Sequence, residues 1–360
     1  MYPQFNFLLY VPYLTINLLF ILLKRKLNVN PFMQVVFILL FVTYIITPIL
    51  GLTIFKYDPL NNLFYISLYV IFIFSILVVV SFINKQNYQS VILALLLGNS
   101  VLLIINIIVN ISDINLVNLK WVFGEDRESR AYFGFSHPNT AGMYIFIEIL
   151  LLSLWRKYNN KIIFLFNVFL FFILVLTGSR TAILALVLFI LLELYAKLKI
   201  KWNLYLSAAF TWGIVLPLLI LLLKDIDFGS FFKNISGRDV AAVQNIQVLL
   251  STNNAIFGIA PVNVSNLKSI NGLTYSDNWY ITHTIQFGIV SLLLFMFNLF
   301  ILFLESIRHR NKLSINLLLL IIFYSFAENV MFVPGVLMSC IVWILILSQI
   351  NLNTYNGGVK

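Results

Sequence analysis

Long apolar runs dominate the chain, each closed by a short polar stretch; Leu14–Leu23 and Ile162–Leu176 are typical. A membrane β-barrel would show short segments of strict alternation instead. The pattern therefore predicts helices, each about 20 residues long if it crosses a hydrocarbon layer about 30 Å thick. Reading the runs against their breakers places spans near 4–23, 31–54, 61–83, 88–109, 138–154, 162–178, 181–197, 203–223, 280–304, 313–328 and 332–350. The expected fold is all-α: a polytopic integral membrane protein of about 11 transmembrane helices, one membrane domain over 1–360, with one large extracytoplasmic loop at 224–279.

Composition sharpens this picture. Of 360 residues, 61% are hydrophobic and only 10% charged, against about 25% charged in soluble domains. So few charges do not cover a water-exposed surface, which excludes a soluble enzyme. Eleven spans leave about 140 residues for connections, too few for a separate soluble domain. The one cysteine, Cys340, lies inside an apolar run, so no disulfide framework or cysteine metal site is expected. No small-residue cleavage site follows the first span, and no cleavable signal peptide is expected.

The net charge of +10 reads as topology rather than nucleic-acid binding. Alternate connections collect Lys24-Arg25-Lys26, Lys85, Arg156/Lys157/Lys161, Lys197/Lys199/Lys201 and Arg308/Arg310/Lys312. The excess of basic residues on cytoplasmic loops places that set inside, with the N-terminus outside and the C-terminus inside. The outer side then holds two long connections, about 110–137 and 224–279, with most of the acids (Asp113, Glu125, Asp126, Glu128, Asp225, Asp227, Asp239, Asp277). Any chemistry is expected there.

Four stretches could carry it. In Arg130-Ala-Tyr-Phe-Gly-Phe-Ser-His137-Pro138-Asn139-Thr-Ala-Gly142 a charged loop runs into a span. Proline suits a first helical turn, and a helix start offers amide donors and a positive dipole end to an anion. A plain capped entry is the bland alternative for Asn139. In Thr177-Gly178-Ser179-Arg180 a polar notch separates two apolar runs. Arg180 there runs against the charge bias, and an arginine at membrane depth normally persists because it binds something; snorkelling is the alternative. Arg238 in Ser236-Gly237-Arg238-Asp239, ahead of Phe257-Gly258-Ile259, could bind an anion or simply pair with a neighbouring acid. In Asp277-Asn278-Trp279-Tyr280-Ile-Thr-His283, with Gly288-Ile289 beyond, Asp277 and Asn278 suit a helix cap. His283 could carry a proton or serve packing. Glu328 ends the next-to-last span on the same side.

The three histidines, His137, His283 and His309, show no metal-ligand spacing, and no phosphate loop or dinucleotide fingerprint is present. No metal and no cofactor are expected.

Taken in order, these stretches resemble the O-antigen polymerase and ligase superfamily of bacterial membrane glycosyltransferases. Arg130…Gly134-Phe-Ser-His137-Pro138-Asn139…Gly142 looks like that family's Arg…Gly…His-Pro-Asn…Gly entry. Ser179-Arg180 resembles its Ser-Arg turn, and Ser236-Gly-Arg238 with Phe257-Gly258 resembles the arginine of its large outer loop. Asp277-Asn278-x-Tyr280 and Gly288-Ile289 match the span after that loop. The resemblance covers roughly residues 110–350. Ligases carry His-Asn where this chain has Asp277-Asn278, which favours a repeat-unit polymerase of capsular or exopolysaccharide.

The resemblance implies metal-independent glycosyl transfer between undecaprenyl-diphosphate-linked oligosaccharides, on the outer face of a bacterial cytoplasmic membrane. Arg130, Arg180 and Arg238, with Asn139, Ser179, Asn278 and Tyr280, would bind substrate and its diphosphate. The catalytic candidates are Asp277, His283, His137 and Glu328. Membrane lipid, a flippase and chain-length regulators would be partners, and nucleic acid would not. A ligase-like glycan transferase and a lipid-linked oligosaccharide flippase or other transporter are the rival readings.

Overall fold

The computed structural model describes residues 29–54, 58–115, 130–155, 161–197, 255–262 and 277–356, with Trp202, Tyr205, Asn245 and Gln247. Among the described residues the secondary structure is helical throughout, with no strand. The elements are α1 (Pro31–Phe41), a π turn (Val42–Ile46), α2 (Thr47–Ile54), α3 (Pro59–Phe82), α4 (Tyr88–Val109), α5 (Pro138–Leu154), α6 (Lys161–Thr177), α7 (Arg180–Lys197), α8 (Trp279–Arg308), α9 (Lys312–Ala327) and α10 (Leu337–Asn356). Among the described residues four helices, Pro31–Ile54, Pro59–Phe82, Tyr88–Val109 and Trp279–Arg308, are long and apolar enough to cross a membrane. The protein is membrane-embedded. The expected spans at 4–23 and 203–223 lie outside the described residues, apart from Tyr205.

The chain forms two compact units. The first holds α1–α3, the segment 255–262 and α8–α10; the second holds α4–α7.

Helices in lipid gain little from burying apolar surface, so packing and interhelical hydrogen bonds must hold them, each bond contributing about 0.6 kcal/mol. The first unit follows this rule. Asn30 caps α1, accepting from Met33 N at 2.7 Å, while its Nδ2 donates to Asn351 Oδ1 of α10 at 3.0 Å. Asn298 Nδ2 of α8 donates to Val36 O of α1 at 3.3 Å. Between them lies an aromatic core of Tyr44, Phe72, Trp279, Phe295, Phe332 and Trp343, all buried. Leu293, Phe297 and Phe300, on the same helix as Phe295, are exposed and suit acyl chains.

α8 is broken. Gly288 has φ 81° and ψ 172° inside it, a conformation essentially reserved for glycine. Ile289–Arg308 alone rises about 30 Å, the thickness of the hydrocarbon layer. The break therefore belongs to the end of the span that carries Asp277. α10 begins at Leu337, later than the expected 332, and runs past 350 to Asn356. Pro334 disfavours helix in the residue before it, and Gly335 at φ 83° keeps the chain open. Ser339 Oγ then accepts from Val333 N at 3.0 Å.

In the second unit α5 is the central helix, buried along most of its length and packed on α4, α6 and α7. Leu97, Val101 and Ile105 of α4 and Phe164, Leu165 and Phe171 of α6 are exposed, as lipid-facing positions are.

Candidate functional site

The second unit brings the first two polar stretches together. Pro138 opens α5 and His137 caps it, its Nδ1 accepting from Asn139 N at 3.1 Å. The preceding loop is pinned by Asp113, whose Oδ2 accepts from Phe133 N at 2.7 Å and Tyr132 N at 3.2 Å. Ala131 N donates to Leu176 O at 3.0 Å. Arg130 is thereby held beside the end of α6, where the chain turns through Thr177–Ser179 into α7. Gly142, one turn into α5, lies against that turn: a Cβ there would meet the Ser179 side chain, its Oγ at 2.8 Å, and Thr177 Oγ1 at 3.1 Å. Two helix starts, α5 and α7, thus meet with two arginines nearby.

Ser179 is the informative residue. It stands just before α7, where a hydroxyl normally accepts an amide from the first turn. Its Oγ is instead fully buried with no hydrogen-bond partner, while its own N donates to Thr177 Oγ1 at 3.2 Å. An unmade hydrogen bond of this kind costs about 1–3 kcal/mol. Arg180 is half-buried, His137 is exposed and Asn139 is half-buried. Helix-start dipoles and guanidinium groups favour a multiply charged anion.

One buried acid of this unit lies outside the four polar stretches. Glu148, fully buried in the middle of α5, accepts from Asn99 Nδ2 at 2.7 Å and from the Ser100 hydroxyl, both on α4. Its signal was simply an acid inside an apolar run, which marks an expensive residue.

The first unit gathers the fourth stretch and Glu328. Asn278 caps α8, accepting from Ile281 N at 3.3 Å, and its Nδ2 donates to Phe326 O at 3.0 Å. Tyr280 OH donates to Ile322 O at 3.2 Å. These bonds fasten the start of α8 to the end of α9, where Glu328 is the C-terminal cap. Asp277 and Glu328, both half-buried, therefore share one end of the unit. Arg238 lies outside the described residues.

His283 sits deeper, 2% exposed. Its ring lies 4.4 Å from Trp279, 4.8 Å from Phe287 and 5.4 Å from Tyr44 between centroids. Ser291 Oγ donates to Thr43 O at 3.0 Å and so accepts from His283 Nε2 at 2.9 Å. His283 Nδ1 has no partner. The imidazole thus bridges the two halves of α8 and ties both to the π turn, where the wider coil presents the Thr43 carbonyl.

The motifs Phe257-Gly258-Ile259 and Gly288-Ile289 meet directly. Ile259 N donates to Ile285 O at 2.9 Å, and Ile289 N donates to Ala255 O at 2.8 Å. Segment 255–262 replaces the helical bonds lost at the break, as irregular backbone near lipid requires. Gly258 at φ 73° allows the approach: a Cβ there would stand 2.6 Å from Gln286 O and Gly288 N. Gly51 of α2 completes the crossing, since its Cβ would lie 2.7 Å from Phe257 O.

No group of three metal-ligating side chains occurs among the described residues. No protein-family model, no curated protein and no solved structure matches this chain.

Proposed function

We propose that this protein is a membrane glycosyltransferase that polymerises oligosaccharide repeat units carried on undecaprenyl diphosphate. In this reading it is an eleven-span protein of a bacterial cytoplasmic membrane, acting on the outer face. The observation that carries the reading is the junction of the α5 and α7 starts, where the Arg130 loop lies against the Ser179-Arg180 turn. A diphosphate leaving group needs such a place. Guanidinium groups of Arg130, Arg180 and Arg238 would take its charge as the glycosidic bond breaks, and Asn139 and Ser179 would supply neutral contacts. Asp277 would orient the acceptor hydroxyl and take its proton late in bond formation. Glu328, fixed to the same end by Asn278, would support it. His137 serves α5 as a cap and His283 holds the helix crossing, so both follow Asp277 as candidates for the base. Asn278 and Tyr280 would act by placing Asp277. A flippase and chain-length regulators would be its partners.

A transporter draws on one observation, the Glu148 carboxyl deep in α5. Purified protein in lipid nanodiscs, given undecaprenyl-diphosphate oligosaccharide, separates the two. New glycosidic bonds, read by mass spectrometry, support the polymerase. In proteoliposomes, movement of intact donor across the bilayer without bond formation supports the transporter.

A further inference from the structure

The Glu148 cluster carries an inference independent of the polymerase reading. Glu148 lies about 15 Å along α5 from Pro138, with Ile147 and Ile149 beside it and no exposed surface. Its carboxyl oxygens touch Asn99 and Ser100, both neutral, and among the described residues no basic side chain pairs with it. Asn99 is 4% exposed and spends both amide hydrogens nearby, on Glu148 Oε2 at 2.7 Å and on Tyr144 O at 3.0 Å. Its Oδ1 has no partner. The cluster therefore holds an acid, a carbonyl, a hydroxyl and an unmatched amide oxygen, with no positive charge. Two mid-helix segments, from α4 and α5, fix all of these groups.

We propose that Glu148, Asn99 and Ser100 form an intramembrane site for one small monovalent cation of the sodium type. Buried charge persists when it is paired or coordinates an ion. Oxygen-only ligands suit a hard cation, and one carboxylate balances one positive charge, whereas a divalent ion would leave an excess in an apolar layer. Asn99 Oδ1 belongs to the same planar amide whose Nδ2 reaches Oε2 at 2.7 Å. The ion would then satisfy the unmatched Asn99 oxygen. α5 also carries His137 and Asn139 at its start, so occupancy of the site would stiffen the helix that presents them.

The test uses full-length protein in nanodiscs, with radioactive sodium binding and thermal unfolding in sodium, potassium or choline chloride at fixed ionic strength. Saturable binding of one sodium per chain is expected, with the unfolding midpoint about 3 °C higher in sodium than in choline. Glu148→Gln, which keeps a similar shape, should abolish both effects. Ser100→Ala should weaken binding about tenfold and provides the comparison if Glu148→Gln fails to insert. Equal midpoints in all three salts, or sodium binding retained by both variants, would overturn the site. A midpoint that follows pH but not sodium would assign Glu148 a proton alone and would also overturn it.

Discussion

Gly142 lies directly against Ser179, and any side chain at 142 would collide with it. This contact sets how closely the start of α5 approaches the start of α7, and so how near His137 and Asn139 come to the Ser179-Arg180 turn. Gly142→Ala should destabilise the protein by about 1–3 kcal/mol through overpacking and depress polymer formation more than unfolding explains. Gly98→Ala provides the control. Nothing lies within 4 Å of its Cβ position, so it should be neutral or stabilising by about 0.5–1 kcal/mol. Thermal unfolding of the two variants decides the point.

The arginines should behave as ligands of a diphosphate. Arg130→Ala, Arg180→Ala and Arg238→Ala are each expected to cut polymer formation about 100-fold or more while the protein still inserts. Lysine should rescue poorly, because a point charge does not reproduce the guanidinium fork. Near-normal polymer from two of the alanine variants would remove the clamp from the mechanism.

Asp277 and His283 should separate by phenotype. Asp277→Asn is expected to lose turnover while binding of the lipid-linked donor stays near wild type. His283→Phe removes the partner of Ser291 and should cost about 1–3 kcal/mol of stability, with turnover per folded molecule largely kept. If His283→Phe folds normally and loses turnover while Asp277→Asn keeps it, the roles are reversed.

The α8 break should be intolerant of side chains. Gly288→Ala places a Cβ on the Ile256 and Phe257 backbone and forces a glycine-only conformation, so little folded protein is expected by size-exclusion chromatography. Gly258→Ala should act alike, since both residues serve one crossing. Normal yield from either variant would argue against that packing.

Orientation is open to labelling. With Cys340 replaced, cysteine at Ser129 or Ser265 should react with an impermeant maleimide from outside. Cysteine at Arg308, 77% exposed in its side chain, should react only after the membrane is opened. Outside labelling at Arg308 would reverse the assignment.

Much of this was legible in the chain itself, for identifiable reasons. The helices at 88–109 and 138–154 fall where the apolar runs end at Asn87, Asn110 and His137-Pro138, because polar breaks and, at 137–138, a cap and a proline act locally. The motifs at 257–259 and 288–289 stood out, but the reason for them did not. Gly288 sits in an apolar run without proline, and its break exists only because segment 255–262 supplies the missing bonds. By contrast, the late start of α10 has a local cause in Pro334 and Gly335. Glu148 gave no motif because its partners lie on another helix, at Asn99 and Ser100. Local signals place helix ends; breaks and buried polar clusters come from contacts distant in sequence.

The most direct test of the central claim uses lipid-linked oligosaccharide extracted from cells in which this protein has been replaced by its Arg180→Ala variant, where unpolymerised substrate should accumulate. Purified wild-type protein added to that extract with a metal chelator should convert it to a ladder on a gel, one repeat unit per step. The Arg180→Ala protein should give no ladder. An unchanged single band with wild-type protein that is folded by thermal unfolding would contradict the account, as would a ladder that vanishes on chelation.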